Sequence, residues 1–163
     1  MASTTQQPAS LSTTTAGLTP ITPLAHRISI PPYTLFCHLT IFPSTPSQTI
    51  GASLSSTSQN ITSQPIIIHV TTSEAPTTPL SVFVYALPRP ASDQSTAQPV
   101  ATTLLGGQDS SSQESMELAL RLARVLARRT NRPVYVGVTA AGFLGHVDAI
   151  EKVSAFVKEK LDR

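Results

Sequence analysis

Five arginines, Arg121, Arg124, Arg128, Arg129 and Arg132, stand within twelve positions of a chain whose only earlier basic residues are Arg27 and Arg89. Guanidinium groups at that density can grip phosphate, so the first chemistry to weigh is a nucleic-acid contact. Placed at helical steps, Arg121, Arg124 and Arg128 share a narrow polar stripe with Glu114 and Glu117, while Arg129 lies nearer the apolar edge. Glu117 precedes Arg121 by four residues, the favourable orientation for an ion pair. Such a pair is worth about 0.2–0.5 kcal/mol. Arginine late in a helix also complements the helix dipole with no partner at all. A salt-dependent nucleic-acid site typically recruits roughly 6–10 phosphate contacts, more than this stripe offers. Tyr33, Tyr85 and Tyr135 fall in no recognisable base-stacking motif. A small basic-helix nucleic-acid-binding domain therefore ranks as an alternative, beside a plain structural adaptor.

Other chemistry is sparse. Gly106-Gly107 precedes a helical pattern, but no Lys-Ser/Thr follows, so the glycines read as a tight turn and not as a phosphate cradle. No G-x-S-x-G elbow occurs. Cys37, the one cysteine, sits mid-strand and reads as a small core residue. A single cysteine excludes an intramolecular disulfide and a multi-cysteine metal site. His26, His38, His69 and His146 are scattered. His38 and His69 could face one another on adjacent strands, without a third ligand nearby. The expectation is a chain with no catalytic residues, no cofactor and no metal: not an enzyme.

The elements that must carry these residues follow from periodicity. The first 25 residues hold no charge and ten Ser or Thr, which cannot bury enough apolar surface to offset the entropy of ordering them. Residues 1–25 are expected to be a disordered tail, and residues 26–163 a single domain with mobile loops near 43–64 and 88–98. No charged and apolar signal segment and no membrane-length apolar stretch is present. Together with the lone cysteine, this points to the cytoplasm and also admits the nucleus.

Tyr33 to Phe42 alternates with a period of two between prolines, which is a strand pattern. Ile66 to Thr72, Leu80 to Leu87, Val100 to Leu105 and Pro133 to Val138 read likewise. No helical pattern separates the first four, so they are expected to pair antiparallel as a meander. A capping-box pattern at Ser111 to Glu114 opens a helix over about Ser112 to Thr130, stopped by Asn131 and Pro133. A second amphipathic helix spans Val147 to Leu161. The fold class is α+β: a small antiparallel sheet of about five to six strands flanked by two α-helices.

The first helix is apolar over more than the roughly 100° stripe that one sheet face requires. Met116, Leu118, Leu120, Leu122, Val125 and Leu126 need a second surface, either the other helix or another subunit. Two helices can hardly cover both faces of the sheet, and Phe36, Phe42, Phe83 and Tyr85 are available for the uncovered one. A partner is expected there, with Phe83 and Tyr85 towards it.

Pro99 to Val138 resembles the proteasome assembly chaperone 4 family. A strand ending T-x-L-L-G, an acidic Ser/Thr-rich turn and a helix ending R-L-A-x-x-T-N-x-x-V-x-V match in order, with an interposed LARV repeat. TLLGGQD looks equally like the sister assembly chaperone 3 family, and the R-x-x-T-N element favours the fourth. The resemblance implies a non-catalytic chaperone subunit, paired through its sheet with an assembly chaperone 3-like partner. Such a pair holds α-type subunits of the 20S proteasome while the α-ring forms. Neither nucleic acid nor membrane is an implied partner. Arg121, Arg124 and Arg128 are then expected to face the client or to stay solvated.

Overall fold

The computed structural model describes residues 21–42, 64–74, 79–89, 98–106, 110–139 and 146–162. The expected tail up to residue 20 and most of both expected loops lie outside the described residues. In chain order the elements are β1 (Leu24–Ile30), β2 (Tyr33–Ile41), β3 (Ile66–Thr71), β4 (Val82–Leu87), β5 (Val100–Leu105), α1 (Ser110–Thr130), β6 (Val134–Thr139) and α2 (His146–Leu161). Among the described residues no helix is long and apolar enough to cross a membrane.

The six strands form one sheet in the order β1-β2-β3-β6-β4-β5. All pairs are antiparallel except β3 with β6. This corrects the expected meander. The last strand enters between β3 and β4, and β5 runs in the same direction as β6 with β4 between them. Same-direction strands need a long crossover, and the 21 residues of α1 supply it. β6 is apolar at nearly every position, as befits an internal strand with neighbours on both sides.

The second correction is β1. Leu24 and Ala25, placed in the tail by composition, begin a strand that pairs with β2 from Leu24↔Leu39 to Ile30↔Tyr33. The turn between them is Pro31-Pro32, joined by a cis bond. Side-chain anchors hold this edge strand to α2. The His26 ring stacks on Phe156 with centroids 4.3 Å apart, and Lys152 Nζ donates to the Ser29 carbonyl at 2.7 Å. A lysine on an edge carbonyl also blocks further strand pairing there.

Both helices pack on one sheet face. Ile28, Leu35, Cys37, Leu39, Ile68, Val70, Val84 and Val136 are buried against Leu118, Leu122 and Leu126 of α1 and Val153 and Val157 of α2 in one core. α1 touches α2 as well as β4, β5 and β6, so the second surface demanded by its broad apolar face is in part α2. The helix begins at Ser110, two residues before the expected start, so Ser111 lies in its first turn and not at its cap. Its far end is where the sequence placed it. Asn131 takes φ 52°, and its amide donates to the Ala127 carbonyl at 3.0 Å, closing the helix with a left-handed cap.

Candidate functional site

The pleat sends alternate residues to the other sheet face, on which no described element packs. Register brings a continuous set of side chains there. Tyr85 stands opposite Tyr135 and Phe83 opposite Gly137 across β4 and β6. The Tyr135 ring lies 4.5 Å from Tyr85 and 5.8 Å from Phe83, centroid to centroid. Gly137 leaves room beside these rings for Leu80 and His69. A Cβ there would meet Leu80 Cδ1 at 2.7 Å and His69 Cδ2 at 3.2 Å. Removal from water, with Tyr135 alongside, holds the Tyr85 phenol above its ordinary pKa.

Further along the same face, His38 and His69 are in register on β2 and β3, with ring centroids 6.2 Å apart. The Arg27 guanidinium lies over the Phe36 ring at 5.9 Å. Exposed Leu87, Val100 and Leu105 extend the apolar surface towards the β5 edge. The result is a wide aromatic and aliphatic sheet face whose only charged side chain on a strand is Arg27. No Asp or Glu occurs in any of the six strands.

Phe83 and Tyr85 are thus where the alternation put them, half-buried on the uncovered face. The sequence reading weighs Tyr135 only for base stacking and does not place it on this face, where it ties the other two rings together. Its alternation against Val134 and Val136 was visible, but its neighbours depend on β6 lying beside β4.

The arginine stripe lies on the opposite layer, on α1. Arg121 pairs with Glu117, and both side chains are 54% exposed. Arg128 is exposed and Arg124 half-buried, and neither carries an ion pair to a described residue. The structure therefore does not gather the five candidate residues into one site. It separates them into a sheet face and a helix stripe, with the core between.

Burial pushes the Cys37 thiol up to about 12, which removes its nucleophilic form near neutral pH. No cluster of three His, Cys, Asp or Glu able to hold a metal occurs among the described residues.

This architecture can be set beside known proteins. Residues 60–139 match proteasome assembly chaperone 4. The match bears out the resemblance read from the sequence and runs over β3, β4, β5, α1 and β6, just under half of the chain. It contains the aromatic trio and the arginine stripe, whereas β1, β2 and α2 lie outside it. Among solved structures, this chain is similar to one from the crystal structure of a novel chaperone complex for yeast 20S proteasome assembly. The identity is 21%, the TM-score 0.49, and the alignment covers 87% of this chain and 93% of that one. No individual curated protein matches.

Proposed function

We propose that this chain is a non-catalytic proteasome assembly chaperone subunit. It pairs through its open sheet face with an assembly chaperone 3-like chain, and the pair holds 20S α-subunits while the α-ring forms. One observation carries the reading: both helices lie on one side of the sheet, and among the described residues no element covers the Phe83–Tyr135–Tyr85 face, which is open to another molecule. The family match supplies the biological setting.

The chemistry of the face favours a different chain over a second copy. A symmetric pairing would bring two copies of Arg27 into one interface, with no strand carboxylate to meet either. A related sheet that carries a carboxylate opposite Arg27 is complementary. The arginine stripe on the far layer stays accessible when the sheet is covered, so Arg121, Arg124 and Arg128 remain free to meet an α-subunit. The cytoplasm, together with the nucleus, is the compartment this role requires.

Affinity purification of the tagged chain with mass spectrometry tests the reading. Recovery of 20S α-subunits with one small homologous chain is expected. Recovery of neither, from cells that are making proteasomes, contradicts it.

A further inference from the structure

The histidine pair has no part in the function proposed above, yet it sits within the face assigned to the partner. His69 lies on an inner strand with His38 on one side and Gly137 on the other, and the missing side chain at Gly137 leaves the ring its space. The Thr139 hydroxyl donates to the Pro79 carbonyl at 2.8 Å, so it is an acceptor towards His69 Nε2 at 3.4 Å. The neutral ring accordingly carries its proton on Nε2, and acid adds the second proton at Nδ1.

Nothing nearby compensates that charge. On β2 the titratable neighbour is His38, and on β1 the charged side chain is Arg27. β6 offers Tyr135, Gly137 and Thr139, and β4 offers Phe83 and Tyr85. None of these is an anion at neutral or acid pH. Partial burial first, and the neighbouring His38 second, already lower the His69 pKa in the free chain. Covering the face removes the remaining water.

Resting on the reading that a partner covers this face, we propose that the His38–His69 pair makes the association acid-labile. The paired state requires neutral rings, and protonation releases the partner. For His69, affinity falls by up to about tenfold per pH unit below its free-chain pKa.

The test measures Kd between the purified chain and its assembly chaperone 3-like partner at about pH 8 and about pH 5.5, with circular dichroism verifying the fold at both. The wild type should weaken severalfold, and a His38→Gln/His69→Gln chain should bind nearly alike at both. Calorimetry of the wild type in two buffers of different ionisation enthalpy, near pH 6, should show proton release on binding whether or not the variant folds. Affinity independent of pH, or strengthened by acid, overturns the proposal, as does the same weakening in the double variant. Absence of a complex even at about pH 8 instead removes the open-face reading on which the proposal stands.

Discussion

Tyr85 on β4 and Tyr135 on β6 face each other in register with ring centroids 4.5 Å apart, on the side of the sheet opposite both helices. Because β6 crosses over through α1 to lie beside β4, two residues fifty positions apart become one aromatic surface. The same crossover carries the arginine stripe to the other layer. One topological event thus creates both candidate surfaces and separates them.

The core under α1 sets the stability on which both surfaces depend. Leu122 is 1% exposed and packs into the single core. Leu122→Ala should cost about 2–5 kcal/mol through lost burial and a residual cavity. Urea denaturation followed by circular dichroism checks this, and a loss well below that range would mean that α1 is not packed as described.

The cap at Asn131 gives a finer check. Its φ of 52° suits glycine and asparagine, not a β-branched residue. Asn131→Gly should leave stability nearly unchanged, whereas Asn131→Val should cost roughly 1–2 kcal/mol. Thermal melting of the two variants separates them, and equal melting points would contradict the left-handed cap.

How far the sequence disclosed this arrangement depended on the range of each signal. The period-two alternation located Phe83 and Tyr85 on the face away from the core, and the i,i+4 spacing foretold the Glu117–Arg121 pair. Asn131 and Pro133 marked the end of α1. Local pattern could not show β6 inserting between β3 and β4, because strand order is decided by long-range pairing. β1 was missed for a different reason. A Ser/Thr-rich, charge-free composition drew the boundary at residue 25, although Ile28 and Ile30 alternate with Arg27 and Ser29 between Pro23 and Pro31. Its anchors, Lys152 and Phe156, lie more than a hundred residues away.

The helix stripe should matter for client capture and little for folding. Arg121 and Glu117 are both more than half exposed, so their pair contributes little in water. Replacing Arg121, Arg124 and Arg128 together by Ala should change stability by less than about 1 kcal/mol while weakening retention of 20S α-subunits. Parallel melting and pull-down experiments check both halves, and undiminished retention would remove the client-facing role.

The isolated chain should lose stability in acid. His69 has a folded-state pKa lowered from 6.5 by burial first and by His38 second. The unfolded chain therefore binds the proton more readily, so stability is complete above about pH 6.5 and declines as pH falls towards the lowered value. Melting temperatures of wild type and His69→Gln across this range check the sign. The variant should show the shallower decline.

The most direct test of the central claim is the affinity of this chain for its assembly chaperone 3-like partner with the open face altered. A Phe83→Ala/Tyr85→Ala chain that keeps its circular dichroism spectrum is predicted to raise Kd by roughly thirtyfold or more, the loss expected of an aromatic hot spot. Wild-type affinity in that folded variant would contradict pairing through the sheet.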